Sequence, residues 1–143
     1  MKVKRRAIFR ILISLCLSAF LGCSPNSIGP DEAKGNLKTS ISLVAETEMF
    51  LTFVAEGKST PAFTRGHAAY LEQEVESLQK KLGQSPSEPS ISEIVRECRG
   101  QLAVLHQELS DLPASIENKN QLLKSRARLF AVRKKLEDVR PAR

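Results

Sequence analysis

The stretch SISEIVRECRGQLAVLHQELSDL, residues 90–112, carries the clearest structural pattern in this chain of 143 residues. Its apolar residues recur every three or four positions, as they do on one face of an α-helix. That face consists of Ile91, Ile94 or Val95, Cys98, Leu102, Leu105, Leu109 and Leu112. Ser90 and Glu93 match a capping box at the start, and Pro113 predicts a break after Leu112. We therefore expect a long amphipathic helix that packs one side against neighbours.

Three further segments of the same kind lie on either side of this stretch. A first helix is predicted over 31–56, ended by Gly57, with apolar residues wide enough to contact several neighbours. A second begins at Thr60 and Pro61, a capping residue and a good first helical residue, and ends at Gly83. A fourth is predicted over 115–139. The expected faces are Leu37, Ile41, Val44, Leu51 and Ala55; Ala68, Leu71, Val75, Leu78 and Leu82; and Leu122, Ser125, Leu129, Val132, Leu136 and Val139, with Leu123 and Phe130 broadening the last.

Four amphipathic helices joined by short loops predict an all-α fold, an antiparallel four-helix bundle over residues 31–140. Two helical hairpins with an open face for a partner would produce the same periodicity. The sequence alone leaves both arrangements open.

Residues 1–22 differ from the rest of the chain. A basic start, with five Lys or Arg residues, is followed by the uncharged apolar run Ile11–Leu21. This run is 11 residues long, whereas a membrane-spanning helix needs about 20. A charged head and a short apolar segment ending at a small residue are typical of a cleaved export signal.

The end of that segment, Phe20-Leu21-Gly22-Cys23, resembles the lipobox of bacterial lipoprotein precursors. Gly22 and Cys23 match the usual pattern, whereas Phe20 and Leu21 are larger or different apolar residues. The resemblance covers only residues 1–23. It implies that the signal peptide 1–22 is removed and that Cys23 is the lipidation site, so that N-terminal acyl chains anchor the protein in a membrane.

The same resemblance implies a location in the cell envelope. Ser24 after the cysteine implies the outer membrane, facing the periplasm, if the cell has two membranes. Residues 23–30, with two prolines and a glycine, are then a short tether. The alternative is a plain secreted helical protein, cut after Ser24 by the general signal peptidase.

The formal net charge of +6 belongs mostly to the signal peptide. Residues 1–22 hold five of the 22 basic residues and none of the 16 acidic ones, which leaves a net charge of about +1. This balance and an exported location argue against nucleic acid as a partner. Segment 117–143 still has nine basic and three acidic residues. Either this basic helix packs beside acidic helices, or Arg126, Arg128, Arg133 and Lys134 bind another envelope protein or an anionic surface.

The three cysteines have different expected fates. Cys16 leaves with the signal peptide and Cys23 is blocked by lipid, so Cys98 is the one thiol that remains. It occupies a position on the apolar face of the helix over 90–112. We expect it to fill space in the core.

The candidate metal ligands are the two histidines, His67 and His106, which lie at the flanks of apolar faces. Met49 with His106 could in principle supply a methionine–histidine haem pair. A metal- or haem-binding periplasmic bundle is therefore the alternative function. No hydrolase or phosphate-binding motif occurs. The favoured hypothesis is a non-catalytic interaction or structural module without a cofactor, and not an enzyme.

Overall fold

A computed structural model describes residues 27–139, most of which form four α-helices. These are α1 (Pro30–Ala55), α2 (Pro61–Leu82), α3 (Ser92–Ser115) and α4 (Lys119–Asp138). The same residues contain two short strands, β1 (Ser27–Ile28) and β2 (Ser85–Pro86), and a 3₁₀ turn over Pro89–Ile91. The all-α prediction is thus confirmed. The predicted signal peptide 1–22 and the predicted lipidation site Cys23 lie outside the described residues.

Helix α2 forms as the sequence predicts. The Thr60 side chain accepts a hydrogen bond from the Phe63 amide at 3.2 Å, and Pro61 is the first helical residue. All of the residues expected on its apolar face, Ala68, Leu71, Val75, Leu78 and Leu82, are buried. A cap and a periodic apolar face therefore suffice to define this helix.

Helix α3 buries its expected face but differs from the prediction at both ends. The predicted capping box does not form, because a 3₁₀ turn precedes the helix and Ser90 donates to the Glu88 carboxylate at 3.2 Å. Glu93 instead accepts a hydrogen bond from Arg96 at 2.5 Å. Pro113 lies inside the helix, which continues to Ser115. Its ring is on the exposed side, so the proline removes one backbone donor without disturbing the core.

Helix α4 begins at Lys119, four residues later than predicted. The reason is its cap: the Asn118 side chain accepts a hydrogen bond from the Gln121 amide at 3.1 Å. The expected inner face is buried from Leu122 to Leu136, and Val139 is partly buried. The prediction that Leu123 and Phe130 broaden this face is wrong, since their side chains are 40% and 48% exposed.

Helix α1 has the predicted extent, and Gly57 follows it with a φ of +70°. Its buried face, however, includes the polar residues Asn36, Ser40 and Thr47. The hydroxyls of Ser40 and Thr47 each donate to the carbonyl four residues earlier at 2.8 Å. Such a bond satisfies the hydroxyl within the helix itself and allows its burial.

The segment before α1 is part of the folded domain. Ile28 is fully buried, and β1 pairs with β2 in parallel, Ser27 with Ser85 and Ile28 with Pro86. Pro30, assigned to the tether by its sequence, is the first residue of α1. Residues 24–26 are therefore all that separates Cys23 from the first described strand.

The core lies where all four helices meet. Helix α1 contacts each of the other three, most extensively α4, and α3 contacts both α2 and α4. Arg99 of α3 stabilises the α2–α3 connection, because its side chain donates hydrogen bonds to the carbonyls of Leu82 and Gln84 at 2.5 and 3.0 Å. Within residues 27–139, no helix has an apolar stretch long enough to cross a bilayer.

Candidate docking surfaces

Cys98 lies at the centre of the core, with no exposed surface. Burial raises the pKa of its thiol, and a hydrogen bond with Ser40 opposes this shift. The thiol therefore remains protonated at neutral pH and is shielded from reagents. Its place in the core agrees with the space-filling role expected from the sequence.

His67 lies between α1 and α2, where it contacts an acid and three aromatic rings. Its Nε2 atom is 3.5 Å from a Glu46 carboxylate oxygen. The Phe63 and Tyr70 rings stack beside the imidazole with centroids at 5.6 and 5.9 Å, and the Phe50 ring meets it in a T-shaped arrangement with the centroids 4.6 Å apart. These contacts engage both the ring faces and the Nε2 atom of His67.

His106 projects from α3 towards α2. Its Nε2 atom is 3.6 Å from a Glu72 oxygen and 3.5 Å from a Glu76 oxygen. Because these glutamates are five and nine positions beyond His67, they lie on the opposite side of α2. The structure thus places the two candidate metal ligands, His67 and His106, against different carboxylates.

Met49, the other half of the suggested haem pair, is 72% exposed on α1. The polar contacts of His106 are instead with α2. No group of three or more metal-ligating side chains suited to an ion occurs among residues 27–139. In this part of the chain, His67, His106 and Met49 are therefore not brought together as a shared metal or haem site would require.

Three of the four basic residues singled out on α4 form ion pairs within the domain. Arg128 donates through two nitrogens to Glu108, Arg133 binds Glu48 and Glu137 at 2.7 Å each, and Lys134 binds Glu137 at 2.9 Å. The carboxylates raise the pKa values of both arginines. These contacts match the simpler explanation of the basic segment, packing beside acidic helices.

Arg126 and Lys119 form no ion pair with a partner in residues 27–139. The hydrogen bond of Lys58 and the charges of Lys119 and Arg126 lower the pKa of Glu56, the residue that follows α1. Lys119 and Arg126 therefore lie near that end of α1. Both residues are exposed. Their charges are therefore more available to an external anion than those of Arg128 and Arg133.

These two cations share one side of α4 with the exposed apolar residues of that helix. Positions three and four apart lie on the same helical face. We call this surface the α4 outer face; it consists of Lys119, Leu123, Arg126, Ala127, Phe130 and Lys134. Two cations lie over the Phe130 ring, the Arg133 guanidinium at 5.2 Å and the Lys134 ammonium at 5.8 Å.

A second exposed aromatic surface lies on α2. Phe63, His67 and Tyr70, spaced by four and three residues, form a row that we call the α2 ring stack. Phe63 and Tyr70 are 55% and 51% exposed although their rings are stacked on His67. Sequence reasoning missed this row, but three aromatic or imidazole rings at helical spacing were a signal that could have revealed it.

Comparison with known proteins adds no relative: no family model, curated protein or solved structure matches this chain.

Proposed function

We propose that this chain is the precursor of a bacterial lipoprotein whose mature form is held in the cell envelope by acyl chains on Cys23. The observation that carries the proposal is the short distance in sequence between the lipobox-like segment and the folded domain. The described core residues run from Ile28 to Leu136. Removal of residues 1–22 would therefore leave all of them in place, with the anchor directly beside the domain.

We further propose that the four helices form an antiparallel up-and-down bundle. Residues from the second half of one helix meet residues from the first half of the next: Glu46 of α1 contacts His67 of α2, and Glu108 of α3 binds Arg128, the tenth of the 20 residues of α4. Between α2 and α3, the contact pairs run in opposite directions, from Arg99 with Leu82 to Ser110 with Glu72. Alternating directions are the pattern expected of short-looped bundles.

The role that this geometry favours is a non-catalytic interaction module. Among residues 27–139 the one buried titratable side chain is Cys98, and burial raises the pKa of its thiol. The histidines lie at the surface against carboxylates. The exposed large hydrophobic residues of the domain include two surfaces with aromatic rings, the α4 outer face and the α2 ring stack. Aromatic residues are enriched where proteins and membranes make contact.

Mass spectrometry of the protein purified from its native membranes tests the anchor. We expect the first residue to be Cys23 carrying acyl chains, and the Cys23→Ser variant to lose the acyl mass. The matched Cys98→Ser variant should retain it. A free N-terminus at residue 25 would contradict the proposal and would indicate a plain secreted protein.

A further inference from the structure

We propose that the α4 outer face binds the surface of an anionic phospholipid bilayer. The inference rests on the proposed function in one respect, since the acyl chains on Cys23 supply the nearby membrane. It goes beyond that function by assigning a second, electrostatic and apolar contact between the domain and its membrane.

The connection between Cys23 and the folded domain is short. Three residues, 24–26, lie between Cys23 and β1. A chain spans at most about 3.3–3.6 Å per residue, so these three reach roughly 10 Å. Since Ile28 is buried and β1 is paired with β2, the folded domain cannot lengthen this connection without losing core contacts. One end of the domain is therefore held close to the bilayer.

The end of α4 lies at this anchored end of the domain. Strand β2, the partner of β1, is followed by the 3₁₀ turn Pro89–Ile91 and then by the start of α3. Glu93 and Glu97, near this start, share a surface depression with Lys135 and Val139. The end of α4 is thus near the anchored end of the domain. Phe130 precedes Asp138 by eight residues, or roughly 12 Å along the helix axis.

The α4 outer face combines exposed apolar side chains with cations. Leu123 and Phe130 expose apolar surface, and Lys119, Arg126 and Lys134 are interspersed among them. Apolar and aromatic side chains among cations on one helix are characteristic of helices that lie in the bilayer interface. The headgroups of an anionic membrane attract such cations, and the apolar side chains enter the boundary with the acyl chains. Helix α4 as a whole has seven basic and two acidic residues; Arg128, Arg133 and Lys134 are paired with carboxylates of the domain, so Lys119 and Arg126 contribute most to the attraction.

The other exposed aromatic surface does not fit the same membrane. The α2 ring stack has the carboxylate of Glu46 against His67 and Glu74 exposed one turn beyond Tyr70. Phe63 also precedes Leu82, at the anchored end of α2, by 19 residues, or roughly 28 Å. The stack therefore serves as an internal control for exposed aromatic rings that lack the charge and the position of the α4 outer face.

The absence of tryptophan from the chain allows a direct test. We compare Phe130→Trp with the matched control Phe63→Trp, each purified with its acyl anchor and placed in vesicles containing brominated lipids, which quench tryptophan fluorescence on contact. The vesicles are phosphatidylcholine with or without phosphatidylglycerol. With phosphatidylglycerol we expect at least about twofold stronger quenching at position 130 than at position 63. Arg126→Glu should reduce quenching at position 130, whereas Arg65→Glu on α2 should not.

Each other outcome counts against the proposal. Equal quenching at positions 130 and 63, or quenching unchanged by phosphatidylglycerol or by Arg126→Glu, would overturn it. If the tryptophan at position 130 is not quenched by lipids in vesicles but is protected from water in native membranes, the occupant of the face is an acidic protein and the bilayer assignment is wrong.

Mass spectrometry of the same samples separates the two hypotheses. Unacylated Cys23 overturns the anchor alone, and quenching at position 130 that persists in Cys23→Ser supports the face independently. Acylated Cys23 without quenching overturns only the face.

Discussion

The α4 outer face and the α2 ring stack both expose large aromatic side chains, yet they differ in almost every other property. On α4, Leu123 and Phe130 stand among cations, and Phe130 is eight residues from Asp138, at the end of the helix where the chain would be anchored. On α2, the exposed rings stack on a histidine beside Glu46, towards the opposite end. The comparison teaches that exposed aromatic area does not by itself identify a partner. Surrounding charge and distance from the anchor decide what each surface can contact.

The largest expected effect separates the outer surface of α4 from its core. Leu129→Ala should reduce the free energy of unfolding by about 3 kcal/mol, because it leaves a cavity beneath a fully buried side chain. The adjacent Phe130→Ala should cost at most about 0.5–1 kcal/mol. Urea unfolding of both variants measures the difference. A large loss for Phe130→Ala would mean that its ring stabilises the fold and is not available to a membrane.

The next effect concerns β1, the segment that would determine how far the proposed anchor lies from both surfaces. Ile28→Ala should cost about 2 kcal/mol, since Ile28 is fully buried although it precedes the first helix. Ser27→Ala, the exposed neighbour, is the control and should unfold at nearly the wild-type urea concentration. Equal stability of the two variants would show that β1 is a free tether, and the distance argument for α4 would fail.

A smaller effect tests whether the α2 ring stack is ordered by His67. Tyr70 is the one tyrosine in the chain, so near-ultraviolet circular dichroism reports the order of its ring. His67→Ala should weaken this signal and lower the free energy of unfolding by about 0.5–1.5 kcal/mol, through lost ring contacts. His106→Ala removes the other histidine and should leave the tyrosine signal unchanged. A loss of signal in both variants would point to general unfolding.

The smallest effect tests the ion pairs that Arg133 and Lys134 form with Glu137 on the same helix. Lys134 and Arg133 lower the pKa of Glu137. Its folded pKa is therefore below its unfolded value, so the stabilisation is present at neutral pH and is lost as pH falls through the folded pKa. Glu137→Gln should be less stable than wild type at neutral pH, and the two should converge in acid. Urea midpoints across pH check this, and parallel curves would refute the pairing.

Most of the helical core could be predicted from the periodicity of Leu and Val in α2, α3 and α4. The buried side of α1 could not, because Ser40 and Thr47 are polar by residue type and become compatible with the core only when their hydroxyls bond their own helix. Ile28 was similarly hidden among prolines and a glycine, where no periodicity exists to mark it. The burial of these three residues can be recognised only from the packing around them.

The surfaces were harder to predict than the core. Heptad spacing on α4 identifies Leu129 as buried, but it does not determine whether Phe130 faces a neighbour or solvent, because that depends on where α1 and α3 pack. The ion pairs show the same limit. Glu48 and Arg133 are 85 positions apart in sequence, and the tertiary fold alone brings them into contact.

The comparison between the two surfaces can be tested most directly by measuring their depths relative to the bilayer. With Cys98 buried and Cys23 carrying its proposed acyl chains, an introduced thiol is the reactive site for a spin label, so Phe130→Cys and Phe63→Cys can be labelled separately. In vesicles containing phosphatidylglycerol, we predict that the label at position 130 is more accessible to lipid-soluble oxygen than to a water-soluble nickel chelate. The label at position 63 should show the reverse. Equal accessibility at both positions, or a deeper label at position 63, would contradict the assignment of the α4 outer face to the membrane.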